Sequence, residues 1–244
     1  MKTFKADLHI HSCLSPCADL DMSPRAIVEK SLERGVDIIA VCDHNSAENV
    51  GAVMRAGTER GLCVLAGIEI NSSEEVHTLA IFENAEQALK MQEVIYQHLR
   101  GTNRPEIFGD QVVANEFDEV EGFNDRLLIG ATQLALHDVI KEVHRLGGLN
   151  IASHADRPSF SLLSQLGFIP PNLELDGLEV SRQLGLDSAS SKIPDLAKFT
   201  LVTFSDAHFL DDIGRPYTAF LLEVPSFEEI RMALSEKSGR RVVN

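Results

Sequence analysis

Two histidines one residue apart, His9 and His11 in ADLHIHS, are the first residues whose spacing suggests chemistry. Side chains alternate along a strand, so positions i and i+2 share a face and the two imidazoles stand side by side. Polar residues of the same kinds close the other apolar runs. Asp43 and His44 follow IIAVC, Glu69 lies near the end of VLAGIEI, and His77 sits in EVHTLAIF. His154 follows LNIAS, and Asp206 and His208 follow TLVTFS. A single strand-end histidine is more often a hydrogen-bonded structural residue than a ligand. The set is harder to explain that way, because imidazoles and carboxylates crowded together need protons or cations between them. Neutral imidazole and ionised carboxylate are the donors that Zn²⁺, Mn²⁺ and Fe²⁺ accept. The other three histidines, His98, His137 and His144, fall in helical stretches and are expected to be structural or on the surface.

The elements that position these residues alternate strand with helix. The strand TFKADLHIH is followed by SPRAIVEKSLERG, in which Ser23 can cap, Pro24 suits the first turn and Gly35 can end the helix. Then come VDIIAVCDH (strand), ENVGAVMRAGTERG (helix), and the strands LCVLAGIEI and EVHTLAIF. Later come the helix LALHDVIKEVHRLGG, the strands LNIASHA, DGLEVS and KFTLVTFSDAH, and a last helix near SFEEIRMALSEK. This order predicts an α/β fold with a largely parallel sheet, whose C-terminal strand ends converge on one crevice. Strict alternation then turns His9 and His11 toward that mouth, sends Leu8 and Ile10 outward against helices, and puts Asp7 beneath His9. Residues from about 84 to 133 break the rhythm and are expected to leave the core as a lid, interface or loop. The chain is otherwise read as one domain over residues 1–244.

Composition narrows the function classes. The 244 residues carry 22 Lys+Arg against 37 Asp+Glu, a net charge of −15. Such an acidic chain is a poor holder of long nucleic acid by charge alone, and repels anionic membranes and phosphate unless bound cations reverse the field. The four cysteines form no CxxC pair, and with no apolar leader they read as reduced thiols of a cytoplasmic protein. Neither G-x-x-x-x-G-K-[ST] nor GxSxG occurs.

Taken in order, DLHIHS, VCDHNS, GIEI, EVHTLAIF, ASHADRP and SDAH resemble the PHP family, named for polymerase and histidinol phosphatase. The resemblance implies a distorted (β/α)7 TIM-like barrel with two or three divalent metal ions (Zn, Mn or Fe) at the C-terminal rim. It implies a metal-dependent hydrolase of phosphate esters, in which activated hydroxide attacks phosphorus. By position, one ion would be held by His9, His11, Glu69 and Asp206, and a second, bridged by Glu69, by His77 and His154. A third would use His44, His208 and a residue just past the HxH pair. Relatives often place Asp or His where this chain has Pro16 and Cys17, so Asp19 is the expected ligand and Cys17 its rival.

Catalysis would fall to Asp206, His44 and His208, either histidine protonating the leaving oxygen, with Asp43 and Asp7 orienting ligands from behind. Arg157 is expected to fork onto a phosphate, with Arg182 and Arg215 as lesser candidates. The expected substrate is a small phosphorylated metabolite or short nucleotide. The alternatives are a 3′-5′ nuclease of the polymerase-associated kind and a non-catalytic metal-binding regulatory module.

Overall fold

Phe4, Ala6 and Leu8 project from the first strand into a core shared with Ala40 and Cys42, Leu65, Leu79 and Ile81, Ile151 and Val202. These residues come from the strands β1 (Lys2–Ile10), β2 (Ile38–Val41) and the residue after it, β3 (Cys63–Asn71), β4 (His77–Phe82), β7 (Leu149–Ala152) and β9 (Leu201–Val202). The computed structural model describes residues 1–184, 186, 188–189 and 193–243. Its main sheet runs β11 (Arg241–Val242), β10 (Thr218–Leu222), β1, β2, β3, β4, β7, β8 (Gly177–Glu179), β9. The chain after β9 comes back to β1, where Ile10 bridges Ala207 in parallel and His11 N donates to Ala207 O at 2.9 Å. Seven strands from β1 to β9 thus wrap a nearly closed, TIM-like barrel, with β10 and β11 extending from the first half of β1.

Outside the barrel lies a helical layer. α1 (Pro24–Glu33) and α2 (Val50–Arg60) cover Ile39 and Val41 with Ile27, Val28 and Val53. α3 (Ala85–His98) and α5 (Leu136–Arg145) cover Ile68, Ala80 and Phe82 with Met91, Ile95, Val139 and Val143. The last long helix, α7 (Phe227–Leu234), sends Phe227 and Ile230 against the core of the barrel. No helix among the described residues is long and apolar enough to cross a membrane.

Three expectations need correction. The sheet is less parallel than expected, because β4 runs antiparallel to both β3 and β7, and β10 antiparallel to both β1 and β11. Only residues 72–76 separate β3 from β4, enough for a hairpin but too few for the crossover a parallel neighbour requires. Second, α3 is a regular barrel helix, so the departure from the barrel begins only after it. That excursion holds the short α4 (Pro105–Phe108) and a hairpin of β5 (Val112–Ala114) and β6 (Val120–Phe123). It packs Leu99 and Leu128 on Leu14, and Val112 and Ala114 on Cys13.

The third correction concerns β1 itself. Ala6 pairs with Ile38 and Asp7 with Ile39, but Ile10 pairs with Val41, so β1 carries one more residue than β2 across this interval. Such a bulge reverses the facing of everything after it. Leu8 therefore packs inside the barrel, Ile10 outside against the α1 and α2 layer, and His9 and His11 both reach the mouth. Asp7 is not beneath His9. Its carboxylate accepts from Ser205 N at 3.0 Å and Gly214 N at 2.7 Å, fastening the chain after β9 to β1.

Two stability predictions follow from these contacts. An amide at position 7 has one acceptor for two part-buried N–H groups, so Asp7→Asn is expected to cost about 1–3 kcal/mol in urea unfolding of the chelated protein. His144, on α5, donates to Asp176 Oδ2 at 2.8 Å, and this contact raises its pKa above 6.5. The contact stabilises fully below that value and fades as pH rises through the folded-state value. His144→Ala should accordingly cost up to about 1 kcal/mol at pH 6 and less at pH 9, since the pair is partly exposed.

Candidate metal centre

Each strand that ends at the barrel mouth delivers a donor and then turns sharply. Asn45, His154 and Asp206 have φ of 52°, 28° and 50°, left-handed values that residues with a Cβ rarely adopt. They sit at or beside the chemistry-bearing side chains, where backbone strain is commonly stored. The turns are pinned by neighbours: Asn45 N donates to Glu69 O at 2.9 Å, and His154 N to Glu179 Oε2 at 3.1 Å. Because β4 is reversed, His77 reaches the same rim from the beginning of its strand rather than its end.

Glu69 occupies the centre. Its carboxylate lies 3.3 Å from His9 Nε2, 3.4 Å from His11 Nε2, 3.2 Å from His44 Nδ1, 3.1 Å from His77 Nδ1 and 3.3 Å from His154 Nε2. Asp206 Oδ1 is 3.2 Å from His9 Nε2 and 3.1 Å from His11 Nε2. All of these residues are buried except Asp206, whose side chain is only 6% exposed.

Hydrogen bonds behind the imidazoles decide which nitrogen faces inward. His9 Nδ1 lies 2.9 Å from Glu179 Oε2, which can only accept, so Nδ1 carries the proton. His11 Nδ1 lies 3.0 Å from Ser15 Oγ, whose own proton goes to Asp43 Oδ1 at 2.7 Å, so His11 donates there too. His208 Nδ1 donates to Asp206 O at 2.8 Å. The Nε2 atoms of His9 and His11 therefore present lone pairs toward each other at 3.3 Å and toward two carboxylates. That arrangement is repulsive unless a cation or an added proton sits among the donors. Buried His154 Nδ1 has no partner among the described residues, so its ring leaves one valence unsettled as well.

The proton affinities report the same crowding. Burial works against the charge on His9, yet Glu179, Asp206 and Glu69 together raise its pKa well above normal. Burial also opposes ionisation of Glu69 and Asp206, but His77 and His9 hold the first carboxyl, and His9 and His11 the second, well below the usual range. His44 is pushed well down by burial and by neighbouring imidazoles, and His208 down to about 4 by burial and His11. The donor set thus fits divalent cations.

Among the described residues, three constellations have ligand atoms within 4.8 Å of one another: His9, His11 and Asp206; His44, Glu69 and His77; and His11, Cys17, His44 and His208. The last contains Cys17 and not Asp19. The Asp19 carboxylate is exposed and accepts from Asp21 N at 2.9 Å, closing its own turn. Tight turns from Ser12 through Asp19 carry Cys17 over the mouth instead. The excursion holds this loop, since a Cβ at Gly109 (φ 95°) would lie 2.8 Å from Pro16 O.

Asp43 accepts from Ser12 N and from the Ser12 and Ser15 hydroxyls, and through Ser15 it braces His11. Arg157 Nη1 contacts Asp206 Oδ2 at 2.5 Å and lines the cavity above the donors, about 210 Å³ in volume. Arg182 and Arg215 are not on that cavity. Arg182 borders a neighbouring hollow and donates to Arg215 O at 3.4 Å. The residue missed in the sequence is Glu179, which braces His9 from the end of β8. A carboxylate within the short apolar run GLEV is a signal similar to the one that marked Glu69 in VLAGIEI.

Known proteins share this fold. An uncharacterized protein of Bacillus subtilis (strain 168), YqxK, is 31% identical over 108 residues, covering 42% of this chain and 28% of that protein. The lesion-specific endonuclease Q of Pyrococcus furiosus superposes with a TM-score of 0.69 at 21% identity, covering 99% of this chain and 58% of the other. An endonuclease Q bound to a 27-mer duplex with an abasic lesion gives 0.68 at 20% identity. A candidate metal-dependent phosphoesterase from Bifidobacterium adolescentis gives 0.59 at 20%, covering 95% of this chain and 96% of that one. The chain thus spans little more than half of endonuclease Q and under a third of YqxK. The PHP-associated profile matches residues 199–238 and the PHP domain profile residues 7–163, well over half of the chain, so this protein belongs to the PHP domain family.

Proposed function

We propose that this PHP domain hydrolyses a phosphoester bound in the mouth of the barrel, with two or three divalent cations held by His9, His11, His44, Glu69, His77, His154, Asp206 and His208. The observation that carries the reading is the inward convergence of lone pairs from His9 and His11 on Asp206 and Glu69, with Glu179 and Ser15 fixing both tautomers. Bound cations supply Lewis acidity there, lowering the pKa of coordinated water toward about 7 and offsetting charge on phosphoryl oxygens.

The chain's own residues divide the remaining work. Arg157, at the cavity wall, has N–H groups beyond the one on Asp206 with which to hold a phosphoryl oxygen. His44 and His208, expected as proton donors to the leaving oxygen, are held neutral by burial, and so act as lone-pair donors. Cys17 takes the third ligand position in place of Asp19. The cavity admits a phosphoryl group with one modest organic substituent, which favours a small ester or a single flipped or terminal nucleotide over a continuous duplex. A nuclease reading draws its support from the likeness to endonuclease Q, while the net charge of −15 weighs against a long nucleic-acid contact made by this domain alone.

A panel of phosphomonoesters and phosphodiesters assayed with Mn²⁺, Zn²⁺ and Fe²⁺ tests the reaction. Wild type should be inactive after chelation and recover with one of these metals, and Glu69→Gln should not recover. Equal activity in wild type and His9→Ala under every metal would defeat the proposal. Glu179→Gln should weaken metal binding by about 10- to 100-fold, as loss of a bracing partner does elsewhere, with unfolding little changed. For Cys17, Co²⁺ loading should produce a thiolate-to-cobalt charge-transfer absorption that Cys17→Ser abolishes. An unchanged spectrum in Cys17→Ser would return the third position to another ligand.

A further inference from the structure

Phe160 is folded against its own preferences. Its φ of 55° lies in the left-handed region, a genuine outlier for a bulky side chain. The strain gains little burial, for the residue remains 40% exposed. Neighbours hold it in place: His77 N donates to Phe160 O at 2.9 Å, and Ser161 caps α6 (Leu162–Leu166) while its hydroxyl donates to Arg157 O at 2.7 Å. One face of the ring lies on the His77 imidazole, with centroids 4.8 Å apart and 24° between planes. The ring also forms part of the cavity wall, together with Ile129 from the excursion.

Neither apolar wall is needed to hold a phosphoryl group. Nor do they suit a polyol, whose hydroxyls would need partners. Apart from the donor cluster and Arg157, Ser159 brings the one hydroxyl that lines the cavity among the described residues. A strained aromatic that stacks on a donor imidazole and stays 40% exposed at the cavity wall is better explained by what it meets than by what it supports.

We propose that Phe160 is a stacking platform for a nucleobase, so that the phosphoester taken here is a nucleotide, free or at the end or lesion of a strand. The proposal rests on the hydrolase reading for the phosphoryl half of the substrate, and on Phe160 for the other half. Arg157 and Phe160, three residues apart on one loop, would then grip the two ends of one ligand.

Saturation-transfer NMR on the chelated full chain with adenosine 5′-monophosphate reads the platform without turnover. Base protons should be saturated in wild type and in Phe160→Trp, and lose saturation in Phe160→Asn, which tolerates the left-handed backbone but removes the ring. With metal restored, Phe160→Asn should raise KM for the nucleotide about tenfold more than for ribose 5-phosphate, the loss expected for one base–aromatic stack. A 5′-phosphorylated hexanucleotide in parallel separates the sources: ring dependence with the mononucleotide supports a free nucleotide, and dependence with the strand alone supports a strand end. The proposal is overturned if base protons stay unsaturated in wild type, or if Phe160→Asn changes all three substrates by the same factor. Saturation by the nucleotide without hydrolysis of any ester would remove the hydrolase reading and leave the platform standing.

Discussion

The Glu69 carboxylate is ringed by five imidazoles at 3.1–3.4 Å, and much of the molecule is arranged to make that tolerable. Buried in protein, such a group of electron-pair donors is stable only around positive charge. The three carboxylates around His9, from Glu179, Asp206 and Glu69, raise its proton affinity well above normal for that reason. What keeps the donors from collapsing onto one another is the layer behind them. Glu179 holds His9, Asp43 reaches His11 through Ser15, and the Asp206 carbonyl takes the proton of His208. Those contacts use up the outward nitrogens, so the rings have one nitrogen left to offer and it points inward.

Strand geometry delivers the donors to one place by breaking its own rules twice. The bulge in β1 lets Leu8 fill the barrel while His9 and His11, directly after it, still face the mouth. Without it, one parity would have to choose between a packed core and a ligand pair. The reversal of β4 performs a related service, bringing a strand's beginning to the rim where the others end, so that His77 meets Glu69 across a short hairpin. Gly67 belongs to the same economy of space: a Cβ there would lie 2.3 Å from Cys42 Sγ, directly below the donor layer. A two-residue step along β3, from Gly67 to Glu69, separates this close packing from the carboxylate at the centre of the imidazoles.

How far all this was legible in the sequence depended on the range of the cause. Placement of His9, His11, His44, Glu69, His154 and Asp206 at strand ends could be read because the signal is local: an apolar run, then a donor. Glu179 carried a similar signal but was passed over, since a lone carboxylate ending a three-residue strand does not announce an imidazole 170 positions away. The position of Cys17 near His11, His44 and His208, with Asp19 turned outward, follows from successive tight turns and from the excursion packing at Gly109 on Pro16, both invisible in spacing. The facing of Leu8 failed for a sharper reason. Alternation is a good rule for a regular strand, and the bulge is a property of the pairing of β1 with β2 rather than of β1 alone.

Strain accounts for the remainder. Left-handed backbones at Asn45, His154, Phe160 and Asp206 cluster around the mouth, and none of these residues is glycine. Glycine would relax each of them, but glycine carries neither imidazole, carboxylate, amide nor ring. The cost, about 1–3 kcal/mol for each such residue, is met by the barrel core below, which is apolar and continuous from Phe4 to Phe220. Contacts from outside each turn, such as Asp7 on Ser205 and His77 N on Phe160 O, hold the strained geometry without asking the functional side chains to do so. This division explains why the residues that could not be guessed are mostly the holders. Donors must be of particular chemical types and so show in the sequence, whereas a backbone N–H or carbonyl that pins a turn can come from any residue the fold brings near.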